Sequence, residues 1–300
     1  MVDNKESATS KICAFARAQH SRFSNNKVFD DYLALALLGE EEYEYLKNLI
    51  IDRLNSEAAN ENELPEWELL LEEFISPIPL SRITYTENKL IEFANQNSNC
   101  QYVICGAGLD SYAFRNTNPN IEIFELDHPS TQKHKIQRLK ELNWSIPSNV
   151  HFAPINFEYQ SLEETLIKAG FAPEKRTFFS ILGVSYYLTL ETFARTIYNI
   201  SKISGNESVI VFDYPDDISW KNNNTPLRVN KIRALTEELG EKMMDGYSYD
   251  ELENTLETNG YRVVEHLSPK QIQKTYFQNR TDNLRAYENV HFIEAKFETL

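Results

Sequence analysis

Apolar residues recur at broadly helical spacing over residues 8–38, where Ile12, Phe15, Ala16, Phe29, Leu33, Leu37 and Leu38 form a stripe broken near Ser24-Asn25-Asn26. Residues 41–55 continue in the same style, and the polar, acidic stretch 56–66 reads as a loop. Trp67–Ile75 predicts a short helix ended by Ser76-Pro77-Ile78-Pro79, and Arg82–Asn95 predicts another. Beyond residue 95 the pattern changes to short apolar runs alternating with helical stretches. The expected strands are Tyr102–Cys105, Ile121–Leu126, Val150–Ile155, Thr177–Leu182, Val209–Phe212, Tyr261–His266 and, after a long connection, Val290–Ala295. Helices are expected over Thr131–Leu142, Leu162–Ala169, Leu190–Ile203, Val229–Leu239 and Tyr249–Thr258, with Asn259-Gly260 as a stop. This alternation predicts an α/β fold with a largely parallel sheet. A helical cap over 1–95 precedes the α/β domain over 96–300, the two forming one structural unit.

Composition narrows the function classes. The chain has 300 residues and a net charge of −15, which disfavours a nucleic-acid partner. Three cysteines, Cys13, Cys100 and Cys105, lack metal-ligand spacing and fit a reducing compartment, so no metal is expected. Cys105, inside a strand, reads as a small buried hydrophobe. With no apolar signal core at the start and no run near the roughly 18 apolar residues of a membrane span, a cytoplasmic protein without membrane contact is expected.

The candidate chemistry starts at Val103-Ile104-Cys105-Gly106-Ala107-Gly108-Leu109-Asp110, an apolar strand running into a glycine turn. Glycines let a backbone approach a ligand where a Cβ would clash. Asp127 ends the next strand, about 20 residues on, where a carboxylate can accept hydrogen bonds from a ribose diol. A dinucleotide turn wants a third glycine, and Ser111 stands there instead. Only ten residues separate Asp110 from Ile121, too few for the full helix on which a pyrophosphate sits. A nicotinamide oxidoreductase is therefore disfavoured, and S-adenosylmethionine, which carries no phosphate, fits better. An ordinary strand–helix turn is the plain alternative.

Several longer stretches in order carry a resemblance. They are Ala16-Arg17-Ala18-Gln19-His20-Ser21, Gly106 through Arg115, Phe124 through Gln132, Asn156-Phe157-Glu158, Phe178 through Thr189, and Tyr276 through Asp282. In these the chain resembles the leucine carboxyl methyltransferase family, and within it a bacterial O-methyltransferase branch that includes polyketide-pathway enzymes such as that of tetracenomycin synthesis. The resemblance implies a class I methyltransferase-like Rossmann fold, a mostly parallel seven-stranded sheet with an antiparallel last strand, and S-adenosylmethionine as cofactor.

By the resemblance, Gly106, Ala107 and Gly108 lie against the methionine part of the cofactor, Asp127 holds the ribose, and Arg82 meets the α-carboxylate. Lys11 is a second candidate for that carboxylate. A guanidinium suits it because it can donate two parallel hydrogen bonds. Asn156 and Phe157 fall at the adenine, and His128 beside the ribose. Asn156 replaces a common Asp, and Leu182, before Gly183, replaces a Glu that meets the amino group in many members. Tyr186, Tyr187, Tyr276 and Arg280 are expected to face the acceptor. His20 and His128 are weak candidates for a general base, and no catalytic residue stands out. The lack of a base points to a carboxylate or an acidic hydroxyl of a small molecule, possible in secondary metabolism, since a carboxylate needs no deprotonation at pH 7. The rival class is a non-catalytic cofactor- or partner-binding protein that kept the fold. The oligomeric state is not legible.

Overall fold

The computed structural model describes residues 7–55, 67–157, 159–218 and 225–298. The expected 56–66 loop and Glu158 lie outside them. Seven strands, β1 (Cys100–Cys105), β2 (Ile121–Asp127), β3 (Val150–Pro154), β4 (Thr177–Ile181), β5 (Val209–Pro215), β6 (Tyr261–Leu267) and β7 (Val290–Phe297), form one sheet in the order β3-β2-β1-β4-β5-β7-β6. β1 to β5 pair in parallel, while β7 runs antiparallel between β5 and β6. All seven expected strands are present, most of them a residue or two longer than the apolar run.

β1 and β4 are buried at every position because helices cover both faces. One face carries Tyr102, Ile104, Phe178 and Val211, packed against Leu80, Tyr85, Leu90 and Phe93 of α5 (Pro77–Gln96). The other carries Val103, Cys105, Phe179 and Phe212. It packs on α8 (Leu162–Lys168), α9 (Leu190–Ser201) and α11 (Tyr249–Thr258) through Leu166, Phe193, Ile197 and Leu256. Alternation along each strand sends neighbouring residues to opposite cores. The α9 helix is capped by the Thr189 hydroxyl, and α11 by a reciprocal Ser248–Glu251 box.

The N-terminal helices are α1 (Ala8–Phe23), α2 (Ala34–Leu38), α3 (Glu40–Asn55) and α4 (Trp67–Leu70), the last running into a π-turn at Leu71–Ile75. They share a third cluster in which Phe15, Leu38, Leu46 and Phe74 meet Leu109 of the glycine turn and Leu235 of α10 (Leu227–Glu238).

Two expectations change here. Ser76-Pro77-Ile78-Pro79 opens α5 rather than only closing the helix before it, so α5 starts five residues ahead of Arg82. Proline costs nothing in a first helical turn, where its missing N–H has no partner to lose. The 8–38 stripe is also not one broken helix. Residues 24–33 are irregular, so Phe29 and Leu33 lie outside α1. No described helix is long and apolar enough to cross a membrane.

Candidate active site

The glycine turn is held from below and from the side. Gly106 and Gly108 have φ of +83° and +50°, a region that side chains rarely tolerate. The Gly106 and Ala107 N–H groups donate to the Leu126 carbonyl at 2.9 and 3.0 Å, tying the turn to the end of β2. Asp127 then receives the Gly108 N–H at 2.5 Å and the His128 N–H at 2.6 Å, one on each oxygen. Burial pushes the Asp127 carboxyl above its ordinary range, and those two N–H groups oppose the shift. His128 is the N-cap of α7 (Pro129–Glu141), its Nδ1 2.8 Å from the Ser130 hydroxyl. Only one helical turn, α6 (Tyr112–Arg115), follows the glycines.

Beneath the turn lies a buried ion pair. Lys135 of α7 donates to Glu125 at 2.6 Å and also to the Asp110 carbonyl at 2.6 Å. The lysine thus fixes the far end of the turn to the second strand. Burial raises the Glu125 carboxyl, against the pull of Lys135.

α1 closes over the turn. The Ser10 hydroxyl accepts from the Leu109 N–H at 2.9 Å, and a Cβ at Gly108 would fall on that hydroxyl. Arg17 donates to Asp31 at 2.8 Å and to the Leu109 carbonyl at 2.8 Å. Ser111, the residue in place of a third glycine, donates to Asp31 at 2.6 Å and accepts from Arg115 at 2.7 Å. Arg115 ends on Glu87 of α5. Ser111 is therefore the junction joining the turn to α1 and the Asp31 segment.

At the tip of β4, Gly183 (φ +68°) donates its N–H to Asp213 of β5 at 2.7 Å. The other Asp213 oxygen accepts from Arg82 at 3.1 Å and from the Tyr186 hydroxyl at 2.8 Å. Arg82 also reaches Cys13 of α1 at 3.3 Å. A Cβ at Gly183 would meet the Arg82 guanidinium at 2.5 Å, so a glycine is required there.

A glycine turn, the buried Asp127 carboxylate and the Arg82 guanidinium are groups that could hold a nucleoside ending in an amino acid. A leucine carboxyl methyltransferase family model matches residues 10–201. The chain belongs to the leucine carboxyl methyltransferase family. A Bacillus subtilis (strain 168) relative, "Putative S-adenosyl-L-methionine-dependent methyltransferase YktD", is 40% identical over 98% of this chain and 99% of its own length. A similarly named Mycobacteroides abscessus protein is 29% identical over 48% of this chain and 46% of its own. Among solved structures, a DUF574 family protein from Streptomyces avermitilis shares the fold with a TM-score of 0.59 at 10% identity, covering 99% and 100% of the two chains. A "putative methyltransferase" from Thermobifida fusca YX does so at 0.54 and 12%, over 99% and 97%. The chain is an S-adenosylmethionine-dependent methyltransferase, which sets the nicotinamide oxidoreductase aside.

The structure gathers part of the expected methyltransferase site. Gly106, Ala107, Gly108, Asp127 and His128 form one edge, and Arg82, Gly183 and Tyr186 meet through Asp213. Leu182, half-buried, precedes that junction. Asn156 follows β3, where its N–H donates to Gln160 at 2.7 Å, and Phe157 is exposed. Lys11 pairs with Glu42 at 3.2 Å. Tyr187 meets the Thr9 hydroxyl at 3.0 Å. Tyr276 sits instead among Glu265, Lys89 and Glu92, with burial pushing its hydroxyl up to about 12. Arg280 pairs with Asp282 and the Asn26 carbonyl, tying down the 24–28 loop. His20 accepts the Val28 N–H at 2.8 Å, and burial lowers its pKa to about 4, so it braces that loop as a neutral ring.

Asp213, Glu125, Lys135, Asp31 and Ser10 were not singled out by the sequence. The available signal was a charge interrupting an apolar strand, as in Val209-Ile210-Val211-Phe212-Asp213 and Ile123-Phe124-Glu125.

Proposed function

We propose that this methyltransferase moves a methyl group to an oxygen of a small molecule, a carboxylate or an acidic hydroxyl. The observation carrying the cofactor half is the contact of Gly108 N–H with Asp127, which brings the glycine turn and the ribose acid into one wall. The cofactor, when bound, supplies a methyl group already activated on a sulfonium. Asp127 holds the ribose diol, for which each oxygen keeps a second lone pair. Arg82 meets the carboxylate, its direction set by Asp213. His128, Asn156 and Phe157 border the adenine. Lys11 lies on α1, the helix that covers the turn. Leu182 leaves the amino-group contact to Gly183 and neighbouring backbone.

What remains for the protein is to align the acceptor and exclude water. Tyr186 stands where the two halves meet, and Tyr187 fastens that turn to α1. His20 is turned to the Val28 N–H and away from the glycine turn, which suits an acceptor already ionised or readily so. Calorimetry with S-adenosylmethionine, followed by a methyl-transfer assay on paired acid and phenol acceptors with nitrogen and thiol controls, tests this reading. Methylation of the nitrogen or sulfur controls alone would defeat it.

A further inference from the structure

The glycine turn feeds a helix of only four residues, Tyr112–Arg115, so no long run of helical hydrogen bonds fixes its far end. Two buried cations do that instead. Arg17 of α1 donates to the Leu109 carbonyl at 2.8 Å, and Lys135 of α7 donates to the Asp110 carbonyl at 2.6 Å. Successive peptide groups of the turn are thus pinned from two different helices. Arg17 ties the turn to the cap through Asp31, whereas Lys135 ties it to the strand that carries Asp127.

Lys135 reaches that strand at Glu125, 2.6 Å away, and both side chains are 1% exposed. Glu125 and Asp127 stand two positions apart on β2 and share one face of the strand. Gln132 of α7 also donates to the Glu125 carbonyl at 2.8 Å, so α7 grips β2 by backbone and side chain together. For stability alone the pair is a poor device. Exchanging a buried ion pair for apolar side chains of similar volume is often neutral or stabilising. The second Glu125 oxygen, Oε1, has no hydrogen-bond partner among the described residues, which adds to the cost of burial. An apolar pair, however, cannot donate to the Asp110 carbonyl.

We propose that Lys135 is a positioning residue for the cofactor. Directed by Glu125, it holds the Asp110 end of the glycine turn against β2 and so sets the Gly108 N–H and the Asp127 carboxylate in the arrangement that receives the ribose. Asp110 is two residues past Gly108, whose N–H lies 2.5 Å from Asp127, so displacement at one end of this short segment moves the other. The inference rests on the reading of Asp127 as the ribose acid.

Calorimetry on the full chain with S-adenosylhomocysteine and with methylthioadenosine, which keeps the ribose but lacks the amino-acid end, tests it beside thermal melts. Lys135→Met combined with Glu125→Leu removes one charge of each sign, so the net charge near Asp127 is unchanged. The double variant is expected to melt within about 5 °C of the native chain. It should nevertheless bind both ligands about tenfold more weakly, because the turn has lost its support. Lys135→Met alone, which strands Glu125, should lose both affinity and stability. Native affinity in the double variant, or a loss of stability as large as that of Lys135→Met, would make the pair purely structural and overturn the proposal. A loss confined to S-adenosylhomocysteine would overturn it too, since the effect would then lie at the amino-acid end. Asp127→Asn tests the underlying reading. Unchanged affinity for methylthioadenosine in that variant would remove the ribose acid and the proposal with it, whereas native affinity in the double variant alone would leave the ribose acid standing.

Discussion

Arg82 and Asp213 lie 131 positions apart in the chain and meet at 3.1 Å, the carboxylate fully buried and the guanidinium nearly so. Burial disfavours the charged arginine, but the Asp213 carboxylate outweighs it and drives the guanidinium pKa upward. Asp213→Asn should therefore leave Arg82 charged and misdirected. The expected result is a weaker affinity for S-adenosylmethionine, by about tenfold or more, and a lower melting temperature. Arg82→Lys should lose comparable affinity with less loss of stability, since a point charge cannot form two parallel hydrogen bonds. Calorimetry beside thermal melts separates the two effects, and unchanged affinity in both variants would show that Arg82 does not touch the cofactor.

Gly108 gives a sharper steric test. Alanine there must hold φ near +50° and meet the Ser10 hydroxyl. Gly108→Ala should abolish measurable cofactor binding. Adding Ser10→Gly should recover part of it by removing the obstacle, while the backbone strain, about 1 kcal/mol, remains. Equal loss in the single and double variants would mean that α1 plays no part.

The Arg17–Asp31–Ser111 junction predicts an acid-sensitive link between α1 and the turn. Burial works to raise the Asp31 carboxyl, but Arg17, Arg115 and the Ser111 hydroxyl outweigh it and hold it below its ordinary value. A depressed carboxyl contributes stability that is present above the unfolded pKa of about 3.9 and is lost as pH falls through the folded value. Asp31→Ala should cost about 3–5 kcal/mol in urea unfolding at pH 7, because it leaves the buried Arg17 guanidinium without its counter-charge, whereas Arg115 keeps Glu87. Asp31→Asn should flatten the pH dependence below about pH 4.

His20 titrates in a different window. Its folded pKa is lowered to about 4 by burial and by the Arg280 charge, so the unfolded chain binds a proton first. Its contribution is complete above about pH 6.5 and is lost progressively as pH falls towards 4. His20→Gln should remove that part of the pH dependence while leaving cofactor affinity at pH 7.5 unchanged. A large loss of methyl transfer without loss of stability would instead make His20 a catalytic base.

The central strands β1, β4 and β5 were legible because they are buried at every position, and a short apolar run needs no partner to be read, while β3 and β6, at the sheet edges, carry polar residues on their open positions. Helix starts were less legible. Pro77 and Pro79 look like breakers in one dimension, yet they occupy a first turn where the lost N–H has no cost. Tyr276 and Arg280 came as candidates by resemblance alone. Tyr276 lies with Lys89 and Arg280 with Asn26, because the long β6–β7 connection carries them along α5 and the cap.

The sequence by itself determined the glycine turn, the carboxylate that ends the next strand and the family. Gly106, Gly108 and Asp127 belong to one strand–turn–strand unit, whose spacing is written along the chain. Only the tertiary structure decided what steadies that unit. Asp213 reaches Arg82, Lys135 reaches Glu125, and Asp31 reaches Ser111 across 131, 10 and 80 positions. A buried charge reads like a solvated one until its counter-charge is placed, and packing two cores and a cap around one sheet is what places it.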